Sequence, residues 1–340
     1  MTGKIKYFII LTAVVAGFIL SASCNSCQSQ KKAARETTPI PYAKLSPDFN
    51  ADSAYSYIEK QVEFGPRVPG SSAHKACANN LVSKLEAFDA SVTEQRANVT
   101  HYNGQNIEIR NIIGSFNPEN EKRILLFAHY DSRPFADRET DKERQNKPVP
   151  GADDGASGVG VLLEIARQLQ QNPVEIGIDI IFFDMEDWGQ AEFDKNHIAG
   201  EWWCVGSRYW SENPHVAGYK ADFGILLDMV GAANATFLHE GYSMQKAANI
   251  VAKIWSRAAK LGNGKYFVQR PGGYITDDHV PIIQNLKIPC VDIINLKDSD
   301  SGFAPHWHTL SDDMRNIDKN TLQAVGQTVL EVIYSEIKTN

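Results

Sequence analysis

Cysteine is scarce in these 340 residues, with five in all. The sole CxxC, Cys24-Asn25-Ser26-Cys27, has no further ligands flanking it and sits beside a candidate signal cleavage point, which argues against a zinc finger or a redox centre there. Cys77, Cys204 and Cys290 are widely separated, and their spacing dictates no pairing. A continuous basic stretch is also missing. The formal net charge is -7 and the lysines and arginines are scattered among acidic residues, so no positive face exists to attract phosphates, and nucleic acid is not an expected partner. Nor is there an internal repeat, or a shift in composition that would divide residues 46–340 into two domains. With 43% hydrophobic residues and ordinary numbers of turn formers, the chain is too apolar for general disorder and can fill the core of a single large α/β domain.

The apolar run from Tyr7 to Leu20 follows Lys4 and Lys6 and precedes the small residues Ser21-Ala22-Ser23, so residues 1–23 read as an export signal. The run is too short for a comfortable membrane span. Cys24 comes directly after it and resembles the lipid-modified cysteine of bacterial lipoproteins, although Ser21 stands where that pattern usually has Leu. The expectation is an exported protein, periplasmic or held at the cell envelope, with Cys24 as a candidate lipid anchor to a membrane. Residues 24–45 suit an extended tether, polar from Gln28 and ending in a Thr-Thr-Pro-Ile-Pro run, and the folded domain is expected over 46–340.

Amphipathic patterns predict helices over Ala51–Phe64 and Ala73–Phe88, separated by the breakers Gly65-Pro66-Arg67-Val68-Pro69-Gly70. Strands are expected at Ile107–Ile113, Arg123–His129, Ile178–Asp184, Phe223–Met229 and Cys290–Ile294, each short, apolar and bounded by polar turns. Val159, Leu162, Leu163, Ala166 and Leu169 recur at helical spacing, as do Leu322, Val325, Val329, Val332 and Ile337. Strands alternating with helices are the grammar of a doubly wound α/β sheet with helices on both faces. In such sheets the site lies beyond the carboxyl ends of the strands. There this chain carries His129-Tyr130-Asp131, Asp184 to Asp187 and Asp228, with Asp153-Asp154 before a helix and His308 after the last strand.

Adjacent carboxylates at a strand end, Glu186-Asp187, point different ways, so one can bind a metal while the other carries a proton. The bland alternative is a solvated loop tip. Asp154 lies in a glycine-permitted turn, Gly151-Ala152-Asp153-Asp154-Gly155, where one of the two aspartates is expected to cap the following helix and the other to bind. His308 supplies an imidazole, and zinc accepts such a mixture of nitrogen and oxygen donors. Taken alone, Asp277 or Asp278 would cap the helix beginning at His279.

The motifs His129-Tyr130-Asp131-Ser132, Gly151-Ala152-Asp153-Asp154, Phe182-Phe183-Asp184 leading into Glu186-Asp187, Gly206-Ser207-Arg208, Leu227-Asp228, Asp277-Asp278-His279-Val280-Pro281 and Trp307-His308-Thr309 occur in one order. Together with Phe64 to Ser71 they resemble the animal-type glutaminyl cyclases, relatives of the di-zinc aminopeptidases, over nearly the whole mature chain. The resemblance implies a single-domain, mixed and mostly parallel sheet. It also implies one zinc per chain on Asp154, Asp187 and His308, Glu186 as proton shuttle, and Asp228 and Asp277 as a coupled acidic pair beside the metal. It departs at Asp187, where the animal enzymes have Glu. Trp307 and Phe303 match aromatic wall positions of the glutamine pocket, while Trp188, Trp202 and Trp203 lie in a stretch whose length differs, so the second pocket tryptophan stays open among them.

The implied substrates are peptides or proteins with N-terminal glutamine, converted to pyroglutamate with release of ammonia. The chief rival is a di-zinc aminopeptidase, because His129, Asp154, Glu186, Asp187, Asp228 and His308 suffice for two metals and a base. Asp277 and Trp307 favour the cyclase, since aminopeptidases resembling this chain usually carry a small residue and Tyr there. A catalytically silent binding module would be expected to have lost ligands, and none is missing.

Overall fold

The computed structural model of the chain describes residues 42–196, 198–299 and 301–337. The expected export signal, Cys24 and residues 24–41 of the expected tether lie outside the described residues. The chain is anchored ahead of Ser46: Tyr42 Oη donates to Glu331 at 2.6 Å, and the amides of Leu45 and Ser46 donate to the same carboxylate at 3.0–3.1 Å.

One sheet of six strands organises the domain. β1 (Ser91–Thr100), β2 (Asn106–Phe116), β3 (Arg123–His129), β4 (Gly177–Phe183), β5 (Phe223–Asp228) and β8 (Cys290–Ile294) lie in the order β1-β2-β4-β3-β5-β8. β2 is antiparallel to both β1 and β4, whereas β4, β3, β5 and β8 are parallel to one another. The sheet is mixed and mostly parallel, as expected. A separate pair, β6 (Phe237–His239) and β7 (Phe267–Pro271), stands beside it.

Parallel neighbours require crossovers, and the strands' side-chain alternation places helices on both faces. In β3, Ile124, Leu126 and Ala128 join a core filled by α1 (Ala51–Glu63), α2 (Ser72–Ala87), α3 (Ala156–Gln171), α5 (Gly241–Lys260) and α7 (Lys319–Glu336). Leu125 and Phe127 face the other way, onto Trp210 of α4 (Val205–Glu212) and Ile282 and Ile283 of α6 (His279–Leu286). Helix α3 is seated unusually close to the strands: a Cβ on Gly158 would come within 2.1 Å of the Leu227 carbonyl oxygen. That seating lowers the turn before α3 onto the end of β5, which brings Asp154 over Asp228.

The two expected helices at the start and all five expected strands are present within a residue or two, apart from β2, which runs on to Phe116. β1 went unread because it is a polar edge strand with no buried residue, its Glu94 and Arg96 pointing to solvent. α5 went unread because Ile250, Val251, Ile254 and Trp255 mark only its second half, beyond a kink at Ala247.

Candidate metal centre and acid/base site

Costly backbone flanks the polar residues at the carboxyl ends of β4 and β5 and carries His308. Met185 (φ 55°), Met229 (φ 48°) and His308 (φ 56°) all adopt left-handed conformations. Each such non-glycine residue costs about 1–3 kcal/mol and persists only where its surroundings dictate it. Two buried aspartates pin the turns that carry the acidic residues. Asp131 accepts the amides of Glu186 and Asp187, one on each oxygen, at 3.1 Å. Asp312 does the same for Asp153 and Asp154, at 2.8 and 3.1 Å.

Neither aspartate of the Gly151–Gly155 turn caps α3, contrary to expectation. The N-cap is Gly155, without a side-chain hydrogen bond. Asp153 is spent on the Gly231 amide at 2.8 Å and His306 Nε2 at 3.0 Å. A Cβ on Gly155 would lie 2.4 Å from the His129 carbonyl oxygen and 2.7 Å from its Nδ1, so only glycine lets the turn close over that imidazole. Asp278 also makes no cap to α6, because Ser207 Oγ donates to its carboxylate instead.

Asp154 ends between two histidines. His129 Nε2 is 3.0 Å from Asp154 Oδ1 and 3.4 Å from Asp228 Oδ1, while His308 Nε2 is 3.2 Å from Asp187 Oδ1 and 3.7 Å from Asp154 Oδ2. Two donor groups result, His129/Asp154/Asp228 and Asp154/Asp187/His308, each with its atoms within 4.8 Å of one another. All five side chains are buried, and His129 Nε2 and Asp228 Oδ1 have no hydrogen bond of acceptable geometry. Carboxylate oxygens and imidazole nitrogens left facing one another are a donor set suited to zinc, and the residues fit that ion. Behind each histidine stands a second carboxylate, Asp131 at 3.4 Å from His129 Nδ1 and Asp137 at 3.4 Å from His308 Nδ1, placed where carboxylates orient metal-binding imidazoles although neither contact is a hydrogen bond of acceptable geometry.

The crevice has too little positive charge. Burial, then the carboxylates of Asp277 and Asp187, push Glu186 well above the usual carboxylate range against the opposing pull of His129. Burial raises Asp228 to about 7 despite its contact with His129, and burial with the nearby Asp228 raises Asp277 to about 7. The expected pair is therefore coupled by charge. No hydrogen bond joins it, however: Asp228 Oδ1 and Asp277 Oδ2 are buried without partners, and Asp277 Oδ1 accepts the Asp278 amide. His308 is buried, which disfavours its charged form, but Asp187 and Asp137 outweigh this and raise its pKa.

Aromatic rings flank His308. Trp307 stacks on it with centroids 3.8 Å apart, and Phe303 lies against Trp307 at 4.4 Å. Trp203 lies parallel to His308 at 6.1 Å, whereas Trp188 packs on His101, which Trp202 meets edge-on. Trp203 is thus the second tryptophan at the site, which the sequence left open. Sequence reasoning also passed over Arg133, Asp137 and Asp312. Arg133 is fully buried, donates to the Asp187 carbonyl at 3.2 Å, pairs with Asp137 and sits 4.6 Å from the Trp203 ring. Its place four residues past His129 was the one available signal.

Residues 111–333 match the profile of peptidase family M28. A Zn-dependent exopeptidase from Parabacteroides distasonis is 57% identical, with a TM-score of 0.84 over 85% of this chain and 99% of that one. The glutaminyl cyclase of Tannerella forsythia is 56% identical, with a TM-score of 0.83 over 85% and 99%. More distantly, the Bos taurus glutaminyl-peptide cyclotransferase is 25% identical over 306 residues, 81% of this chain and 78% of that protein. The half of the sheet carrying His129, Asp154, Glu186, Asp187, Asp228 and His308 falls within the matched region, and this chain belongs to peptidase family M28, among its glutaminyl cyclases.

Proposed function

We propose that the protein is a zinc-dependent glutaminyl-peptide cyclotransferase that closes the N-terminal glutamine of peptides or proteins into pyroglutamate and releases ammonia. One observation carries the reading at this site: Glu186, buried beside the Asp154/Asp187/His308 group, has a neighbouring acid, Asp277, whose charge meets that of Asp228. Asp277, which stands where the aminopeptidases resembling this chain usually carry a small residue, supports the cyclase reading with about one zinc per chain.

Zinc, when bound by Asp154, Asp187 and His308, supplies a Lewis acid for the glutamine γ-carbonyl oxygen. The chain's own residues do the rest. Trp307, Phe303 and Trp203 hold the glutamine side chain folded back on its own α-amine, so nucleophile and electrophile meet as parts of one residue, and proximity lowers the barrier. Glu186, raised by its burial, accepts a proton as the amine nitrogen bonds to the carbonyl carbon of the side-chain amide, and delivers that proton to the amide nitrogen as its bond to the same carbon breaks. Asp228 and Asp277, coupled by charge and not both ionised near neutrality, border the amine side of the crevice without adding a full second charge. No water enters the balance, since the amine replaces the amide nitrogen and ammonia leaves.

A second reading, the di-zinc aminopeptidase, is favoured by the His129/Asp154/Asp228 group sharing Asp154. Incubation with a Gln-initiated peptide separates the two by mass spectrometry: ammonia loss from an otherwise intact chain is expected, and release of free glutamine would overturn the cyclase. For location, we propose export directed by residues 1–23 and lipid anchoring at Cys24. The mature protein should begin at Cys24 and lose lipid label in Cys24→Ala, and a cytoplasmic product retaining Met1 would refute both.

A further inference from the structure

We propose that the Cys204 thiol is a positioning residue that fixes the rotamer of Glu186, an inference that rests on the acid/base role given to that carboxylate. Cys204 Sγ lies 3.2 Å from Glu186 Oε1, and among the described residues it is the one group that hydrogen-bonds the Glu186 carboxylate. The thiol is 1% exposed, and burial, with the charges of Glu186, Asp278 and Asp277 adding, keeps it protonated, so sulfur is the donor and oxygen the acceptor.

Its mount is rigid. The Cys204 amide donates to the Glu186 carbonyl at 3.0 Å and the Val205 amide to the Met185 carbonyl at 3.0 Å, a two-bond clip between the start of α4 and the loop after β4. The Cys204 carbonyl in turn accepts the Arg208 amide at 3.0 Å and Ser207 Oγ at 3.1 Å. Cys204 itself adopts the left-handed conformation, φ 54°, at the N-cap of α4, yet its side chain caps nothing. A residue held in that backbone with its thiol turned away from the helix amides and onto a carboxylate is placed for the carboxylate. The other described cysteines have no such neighbour: Cys77 is in the apolar core and Cys290 Sγ reaches only the Ile288 carbonyl, at 3.5 Å.

The consequence is a division of labour between the two oxygens of Glu186. With Oε1 occupied by S–H, Oε2 is the atom presented to the substrate amine. A thiol is a weak donor, so it orients the group without competing strongly for the electrons that take the proton.

The test uses the full zinc-loaded chain with Cys204→Ser, Cys204→Ala and Cys204→Val. Loss of one hydrogen bond of ordinary strength corresponds to roughly 2- to 10-fold in rate. Ala and Val should therefore lower kcat by about that factor with KM unchanged, and Ser, which keeps a donor, should recover most of it. A packing role would instead leave Ser no better than Ala, since the two are close in size, while Val, β-branched at a left-handed φ, carries an added backbone strain. In the wild type, the infrared S–H stretching band that vanishes in Cys204→Ala should shift in Glu186→Gln, a readout that stands even where a Cys204 variant folds poorly. Wild-type kcat in the Ala and Val variants, or an S–H band indifferent to Glu186→Gln, would overturn the inference. Should Glu186→Gln itself cyclise normally, the acid/base reading fails, whereas a crippled Glu186→Gln beside an unimpaired Cys204→Ala removes only the role of the thiol.

Discussion

The two ends of the central sheet both bury charge, and they treat it in opposite ways. At the amino end, Asp179 on β4 is 1% exposed, and both of its oxygens are satisfied: Ser115 Oγ and Arg123 Nη1 donate to Oδ1, and Tyr219 Oη donates to Oδ2 at 2.7 Å. Arg123 spends its remaining reach on the carbonyls of Asn117, Pro118 and Asn120 at 2.7–3.1 Å. At the carboxyl end, by contrast, His129 Nε2, Asp228 Oδ1 and Asp277 Oδ2 are buried without a hydrogen bond. An open cavity of about 820 Å³ lies at the amino end, beside Arg123, Asp179 and Tyr219, yet among the described residues no buried side-chain polar atom of its lining lacks a partner. Unpaired buried charge, and not the size of a hollow, marks where a cation and a reaction belong.

The contrast breaks most sharply at Glu186. Replacing it by Gln keeps its shape and removes its proton acceptor, so kcat should fall by about 100- to 10,000-fold while zinc content stays near wild type. His308→Ala should behave differently, losing the metal along with activity, because it takes one of three donors. Metal analysis beside turnover measurement checks both, and a Glu186→Gln protein that lost zinc as His308→Ala does would mean that the neighbours' roles are exchanged.

Much of this was legible in the sequence because strand ends are easy to find when strands are apolar. β3, β4, β5 and β8 are completely buried and read as short apolar runs, so the polar residues that follow them were readily placed in one crevice. Asp154, Asp187 and His308 do converge, and Trp307 and Phe303 do stand beside them. What stayed hidden were groups whose meaning depends on pairing across the fold. Asp312 is separated from the amide of Asp153 by 159 positions, and no local pattern distinguishes it from a turn aspartate. Asp153, Asp277 and Asp278 misled in the other direction: each precedes a helix and looks like a cap, but tertiary partners claim Asp153 and Asp278, and Asp277 accepts only the amide of its neighbour Asp278.

At the amino end, Asp179→Ala should leave Arg123 buried opposite nothing, at a cost on the order of 3–5 kcal/mol in unfolding free energy, with zinc content and kcat of the folded protein unchanged. Denaturant unfolding measures the first and metal analysis the second. Loss of zinc in this variant would mean that the two ends are coupled, and that the comparison drawn between them is too clean. A smaller effect is expected from Asp137→Asn, which removes the carboxylate behind His308 Nδ1 and the partner of Arg133. Zinc affinity should weaken by about 10- to 100-fold, read by competition with a chelator, whereas unaltered affinity would reduce Asp137 to a partner of Arg133 alone.

The gentlest test follows the pH dependence of the metal-free protein. Asp228 and Asp277 are each raised to about 7, burial being the leading cause, while carboxyls of the unfolded chain lose their protons near 4. Between these values the folded protein holds protons that the unfolded chain has released. The contribution of this pair to stability is therefore fully present below about pH 4 and is lost as pH rises through about 7, with a slope of up to roughly 1.4 kcal/mol per pH unit for each extra proton held. Because the two titrate as a pair, removing either charge should relieve its neighbour. Asp277→Asn should thus match the wild type near pH 4, fall less steeply above it and be the more stable of the two at pH 8, when both are unfolded by denaturant in the presence of a chelator. Parallel curves for the two proteins would show that the unpaired carboxyls of the carboxyl end are as well accommodated as the paired ones of the amino end.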